Sequence, residues 1–261
     1  MKKYLKSSLL ERIRTSDSLT LLPEYVILID KFGSSRYREA AMAEAKTYFA
    51  EFPALSDSAA IENRIHEVSE ARRERIRTAK RPETQASLLA AGLILNAVMK
   101  KEFGLSEFKI EIGEHGKPYL ADHKEIHFNL SHSAAVVACT VSDVECGVDV
   151  EKIEASHNMM GIANRFFSLP EYNAMLLSQN PKEAFCRLWT LRESYVKMRG
   201  MGFDIGLSTL RCDFHRGVCS IYQDGILQTD AFFHEFRNIY GYRGAVCTAK
   251  EATHEISRIE I

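Results

Sequence analysis

The chain has no run of about 18 uninterrupted apolar residues, so no segment is long enough to cross a bilayer as a helix. It also lacks a leader pattern. The apolar stretches near its start are broken by Glu11, Arg12, Arg14 and Asp17, where a secretory signal would carry a continuous apolar core. Net charge is nearly absent: 34 Lys and Arg against 35 Asp and Glu give −1. That balance, with no basic, aromatic-studded groove, argues against nucleic acid or an anionic membrane as partner. The six cysteines (139, 146, 186, 212, 219 and 247) contain no C-x-x-C pair. Several sit in apolar runs, where a reduced, buried thiol is the simplest state. These absences lead us to expect a cytoplasmic protein; we also expect a monomer.

The 261 residues are 46% hydrophobic and 26% charged, enough for one large globular domain or two small ones. Residues 19–29 are rich in Leu, Ile and Val around Pro23, and the second half reads as a strand. Residues 35–51 carry alanines and charges in a helical mixture, stopped before Pro53. A second helical stretch starts near Asp57 and extends through a basic cluster (Arg72, Arg73, Arg75, Arg77, Lys80, Arg81). Pro82 fits the first turn of a third helix over 83–102, apolar on most sides and closed by Gly104. Short strands over 108–112 and 126–130 flank a Gly116-Lys117-Pro118 turn. A strongly apolar strand follows over 134–142, and then another over 148–150.

Ser168-Leu169-Pro170-Glu171 has the form of a helix-opening capping box. Asn180-Pro181 opens a longer helix to about Arg199, closed by Gly200 and Gly202. Four short strands then cover 208–214, 218–223, 231–236 and 244–250. The segments AVVACTVS (135–142) and GAVCTAK (244–250) look alike, each a late strand in a helix-then-strands half. The expected fold is α+β with extra N-terminal helices, and so short a likeness fits two similar α/β halves related by a pseudo-twofold or chance about equally well. Its halves would be 1–142 and 143–261.

The chemistry-bearing residues fall in three groups. In Gly147-Val148-Asp149-Val150-Glu151, a strand of period two sends both carboxylates out of one face while the valines enter a core. On the 181–199 helix, Cys186, Trp189, Glu193 and Lys197 share one stripe. Three converging acids suit a hard cation such as Mg2+, and a lysine beside it suits a phosphate-bearing substrate. In isolation each group has a plainer reading, a surface Glu-Lys pair or a half-solvated strand. The third group, Phe128–Ser133, offers hydroxyls and an imidazole to an anion, or else a serine-capped turn. A serine nucleophile with His132 as base is disfavoured, because no strained G-x-S-x-G turn is present.

Taken in order, GKP (116–118), FNLSHS (128–133), GVDVE (147–151), RFFS-x-x-EY (165–172) and WTLRESYVK-x-x-G-x-G (189–202) resemble the surfactin-type 4'-phosphopantetheinyl transferases. The likeness covers roughly residues 71 to 250. It implies transfer of 4'-phosphopantetheine from coenzyme A to a serine of an apo carrier protein, with Mg2+, releasing adenosine 3',5'-bisphosphate. On this resemblance Asp149, Glu151 and Glu193 would ligate the metal, and Lys197 would engage the pyrophosphate. Ser131 and His132 would lie at the 3'-phosphate, Lys117 and Pro118 beside the adenine, and the stretch from Arg165 to Trp189 would receive the carrier. Glu193 is the expected base, with Glu151 competing.

An arginine among Arg72, Arg75 and Arg77 would meet the 3'-phosphate. Where the family carries lysine before the helix glutamate, this chain has Arg192, a planar fork in place of a point charge. The other functions compatible with these residues are a Mg2+-dependent phosphohydrolase and a non-catalytic coenzyme A-binding homologue.

Overall fold

In the computed structural model, the described residues are 25–29, 35–39, 42–52, 57–154, 158–202 and 206–261. The chain divides into two compact units, 1–42 and 43–261. Of the first, the description covers an antiparallel pair, β1 (Tyr25–Ile29) with β2 (Ser35–Glu39). Residues 1–24 and 30–34 lie outside the described residues, as does much of the expected N-terminal helical extension.

The second unit opens with β3 (Ala43–Glu51). The helix expected over 35–51 is thus replaced by β2 and β3. Alanine favours a helix in isolation, but β3 lies between two other strands and is buried on both faces over Thr47–Ala50. Its Thr-Tyr-Phe run suits such a pleated setting, and tertiary pairing overrides the local preference. The helix expected from residue 57 onward is broken into α1 (Ser58–Arg64), a 3-10 turn and α2 (Glu70–Thr78). The break falls where Val68 drops into the core and Ser69 turns extended ahead of α2.

The long α3 (Pro82–Phe103) begins on its proline and ends at Gly104 in the left-handed conformation, φ 69°. The hairpin β4 (Ile110–Ile112) and β5 (Pro118–Leu120) follows, then β6 (His127–Ser133), β7 (Val136–Ser142) and β8 (Cys146–Lys152). Three helices come next: α4 (Met159–Phe166), α5 (Leu169–Leu176) with the capping box in place, and α6 (Pro181–Arg199). The remaining strands are β9 (Leu210–His215), β10 (Val218–Gln223), β11 (Ile226–Leu227), β12 (Phe232–Phe236), β13 (Tyr242–Thr248) and β14 (Ala252–Arg258).

Two sheets organise this unit. One has the order β14-β3-β7-β6, the other β12-β13-β8. Each contains the same path: a strand, a long helix, then a hairpin whose second strand returns to pair antiparallel with the first. In one case the path is β3, α3, β6, β7; in the other it is β8, α6, β12, β13. This repeat is the pair of similar α/β halves the sequence led us to expect, and AVVACTVS and GAVCTAK fall on its equivalent strands β7 and β13.

Alternation distributes the side chains between layers. Val137, Cys139 and Val141 of β7 pack with Leu95, Val98 and Met99 of α3. Val136 and Ala138 face the opposite way and meet Val148, Val150 and Val246 of the other sheet. Leu191 and Tyr195 of α6 cover Ala245 and Cys247 on the far face of that second sheet. The six cysteines are all free and buried, as expected from their apolar surroundings.

Candidate active site

The two sheets meet along β6 and β8, and the seam is made by side chains. Asn129, Ser131 and Ser133, spaced by two on β6, accept hydrogen bonds from the backbone N–H groups of Val148, Val150 and Lys152 at 2.9, 3.3 and 3.1 Å. The FNLSHS segment is therefore a strand rather than a serine-capped turn, and its polar face does the work of a neighbouring ladder. Ser131 Oγ also donates to Asp149 Oδ1 (2.8 Å), and Ser133 Oγ donates to Glu151 Oε2 (2.8 Å). His132 projects to the other face of β6, beside Val137 in the register, since successive residues on a strand face opposite ways.

Above β8 lies α6, at close range because Gly147 has no side chain. A Cβ built at Gly147 would stand 2.1 Å from the Ser194 carbonyl oxygen, so any larger residue would lift the helix. This approach brings Glu193 and Lys197 over the carboxylates of β8. Lys197 Nζ donates to Asp149 Oδ1 at 2.6 Å and to Ser131 Oγ at 3.1 Å. Glu193 makes no hydrogen bond to a described residue, and it lines a cavity of about 230 Å³ with Lys197, Lys117, Pro118 and Asn129.

The electrostatics follow from crowding of like charge in a dry place. Burial first, then the charge of Asp149, pushes Glu151 up to about 7, against the bond from Ser133. Glu193 is raised by the same two causes, opposed by Lys197. His132 is lowered by its partial burial and by the Lys197 charge. The three acids are thus within electrostatic reach of one another. Among the described residues, however, no group of three or more His, Cys, Asp or Glu side chains is drawn together to hold a metal ion. The donor set still fits a hard cation. Asp149 Oδ2 is buried without a hydrogen-bond partner, and Glu193, which feels the Asp149 charge, makes no hydrogen bond to a described residue.

The remaining expected residues take varied places. Lys117 spends its ammonium on Glu145 Oε2 (2.6 Å) and on the carbonyls of Met198 (2.9 Å) and Cys146 (3.1 Å), capping the end of α6. Its stem packs on Gly200, whose φ of 66° and bare Cα make room for it. Lys117 and Pro118 also line a neighbouring cavity of about 540 Å³ with Tyr119, Phe128 and His127. Arg72 lies against Gly92 of α3 and donates to the Leu88 carbonyl (3.2 Å). Arg77 reaches Glu70 at 3.8 Å, and Arg75 is exposed. None of these three arginines lines either cavity.

Two features escaped the sequence reading. Glu145, held well down at about 2 by its bond with His127 and by Lys117, organises the end of α6. Arg192 is fully buried and faces away from the acids. Its Nη2 pairs with Glu171 Oε1 at 2.6 Å and its guanidinium covers the Phe167 ring. Glu171 also accepts from Cys212 N (2.8 Å) and from the Ser168 N–H and hydroxyl. Arg192 therefore holds α5, α6 and β9 together and touches no phosphate site. A signal for the seam was present in the period-two run Asn129, Ser131, Ser133; no local signal marked Glu171 as the partner of Arg192.

A strand-borne acid pair under a helix glutamate and lysine, between two repeated α/β halves, is an arrangement that can handle a phosphate-bearing substrate. Comparison with known proteins makes the class specific. Residues 145–252 match the model of the 4'-phosphopantetheinyl transferase superfamily. A 4'-phosphopantetheinyl transferase of Bacillus subtilis is 31% identical over 190 residues, 70% of this chain and 82% of that protein. The 4'-phosphopantetheinyl transferase Sfp of Bacillus subtilis (strain 168) is 29% identical over 187 residues, with the same coverage. AcpT, a 4'-phosphopantetheinyl transferase of Escherichia coli (strain K12), is 41% identical over 95 residues, 35% of this chain and 49% of that one. The chain belongs to the 4'-phosphopantetheinyl transferase superfamily and is an enzyme of that class.

Proposed function

We propose that the protein transfers 4'-phosphopantetheine from coenzyme A to a serine hydroxyl of an apo carrier protein, releasing adenosine 3',5'-bisphosphate. The observation that carries this reading is the Lys197–Asp149 ion pair between α6 and β8, with Glu151 and Glu193 within electrostatic reach, in a chain with these relatives. The carrier serine attacks the β-phosphorus, its oxygen forms the new P–O bond, and the bridging P–O bond to the nucleotide breaks. The serine proton goes to a carboxylate and the bond's electron pair leaves with the bisphosphate.

Glu193 is the base in this reading. It faces the cavity, burial and Asp149 raise its proton affinity, and it carries no hydrogen bond to a described residue that would have to break. Lys197 meets the pyrophosphate, supplying positive charge where charge builds on phosphoryl oxygen. Asp149, Glu151 and Glu193 would hold Mg2+, which when bound neutralises that charge as a Lewis acid. Lys117 and Pro118 would shape the adenine side of the cleft, with Ser131 keeping Asp149 in place. His132, with an arginine of the 72–77 segment, is assigned to the 3'-phosphate. Exposed Leu169, Leu176 and Leu177, on and beside α5, would receive the carrier, apolar side chains within the 165–189 segment assigned to docking.

The test is direct. The protein is incubated with coenzyme A, Mg2+ and several apo carriers, and intact-protein mass spectrometry should show a pantetheinyl gain on one or more. No gain on any carrier, with hydrolysis of simple phosphodiesters in its place, would favour the phosphohydrolase.

A further inference from the structure

Lys197 presents a contact that the proposed reaction does not use. Its ammonium sits on Asp149 Oδ1 at 2.6 Å, while a phosphate partner would require it to point into the cavity. We propose that Lys197 is a surrogate cation, closing the acid cluster to divalent metal until a pyrophosphate draws its ammonium away, so that metal and coenzyme A bind cooperatively. The inference rests on the reading of the site as one for coenzyme A and Mg2+.

Three observations carry it. First, the contact is close and specific: Oδ1 accepts both from Lys197 and from Ser131 at 2.8 Å, while Oδ2 remains buried and unpartnered. Asp149 is held for a cation, and an ammonium fills that role. Second, the exchange needs no unpacking. The Lys197 side chain is 26% exposed and already lines the 230 Å³ cavity, whereas that of Asp149 is 5% exposed. The helix beneath it is fixed by the Gly147 contact, so only the flexible lysine stem has to move. Third, an ammonium and a dication on one carboxylate repel strongly at such separations. A pyrophosphate in the cavity offers Lys197 another anion and offers the metal more oxygen ligands. Whatever draws Lys197 off Asp149 favours the metal, and by reciprocity the metal then favours the pyrophosphate.

The experiment uses the full chain and Mn2+ as probe, with free Mn2+ read by electron paramagnetic resonance. Without coenzyme A, Lys197→Met and Lys197→Gln should each bind Mn2+ at least about tenfold tighter than the unmodified protein. Coenzyme A should tighten Mn2+ binding to the unmodified protein at least about tenfold more than it does to either variant. Adenosine 3',5'-bisphosphate, which has no pyrophosphate, should leave Mn2+ affinity nearly unchanged. Mn2+ affinity in both variants within twofold of the unmodified protein overturns the proposal, as does a coenzyme A effect of equal size in all three proteins. Because Mn2+ is read without a carrier, the outcomes separate. Carrier modification without the Mn2+ effect removes only the surrogate-cation role, and the Mn2+ effect without carrier modification removes the transferase reading.

Discussion

Glu193 combines three properties at the residue scale: partial burial, the charge of Asp149 close by, and an oxygen pair with no described hydrogen bond. Replacing it by glutamine keeps shape and removes the proton acceptor. Glu193→Gln should lower carrier modification on the order of 10²- to 10⁴-fold, the usual worth of a positioned base. Coenzyme A binding by calorimetry should stay within a few-fold; a variant with near-normal turnover would remove Glu193 from that role.

His132 gives a different split. It is assigned to the 3'-phosphate rather than to the reacting phosphorus, so His132→Ala should raise the KM for coenzyme A and leave kcat nearly unchanged. With dephospho-coenzyme A the same variant should show no KM change, and an equal rise with both substrates would dismiss the 3'-phosphate assignment. The family resemblance of the surrounding motifs was what singled out both residues. It did not say what Ser131 touches, because a serine's partner is set by which strand lies beside it.

At the scale of elements, helix ends were the legible part. Pro82 and Gly104, Asn180-Pro181 and Gly200, and the Ser168–Glu171 box all act within one turn of chain, so local chemistry decides them. β3 was misread as helix, and β14 was not anticipated, because the two pair in parallel across some two hundred residues. No local pattern encodes such a partner.

The Arg192–Glu171 pair belongs to this scale too. It ties α6 to the start of α5 and to β9, and both side chains are almost wholly out of water. Removing one partner strands the other's charge, a loss of about 3–5 kcal/mol. Glu171→Gln or Arg192→Met should therefore lower the melting temperature on the order of 10 °C, seen by calorimetry. Replacing both together should cost less than the sum, and an additive result would mean the pair is not coupled. Gly147→Val would act on the same packing from below, forcing α6 off β8 with loss of both stability and Lys197 placement.

Across the whole molecule, the repeat of strand, helix and returning hairpin explains why the site lies where it does. Each half covers one face of its sheet with its own helix, and the uncovered faces meet through Phe49, Val136, Val148 and Val246. The edge strands β6 and β8 are left to join by side chains, and acids placed on that seam are drier than on an ordinary strand. Away from the site, the two sheets also meet at a pair of stacked imidazoles, His234 of β12 and His254 of β14, with centroids 4.5 Å apart. Burial, then the neighbouring His234, lowers His254 to about 4, and its Nδ1 is buried without a partner. His234 is lowered by burial as well, against the pull of Glu235.

A histidine whose folded value lies below the unfolded 6.5 favours the neutral ring in the fold. Its contribution is fully present above pH 6.5 and is lost as pH falls from there toward 4, because the unfolded chain binds the extra proton. His254 should thus subtract at most about 3 kcal/mol of stability between pH 6.5 and 4, read as the difference between urea unfolding of the unmodified protein and of a His254→Gln variant at fixed temperature. The carboxylates with lowered values, such as Glu145 at about 2, lose their share only as pH falls from 4.5 toward 2, whereas Glu151, raised to about 7, adds stability as pH falls from 7 toward 4.5 and opposes the histidines in the upper window. His254→Gln keeps a polar group that does not titrate, and it should remove that share between pH 6.5 and 4 while leaving the acid limb below pH 4.5 in place. A variant curve that changes by the same amount as the unmodified protein's in that upper window would leave the imidazole stack a passive contact.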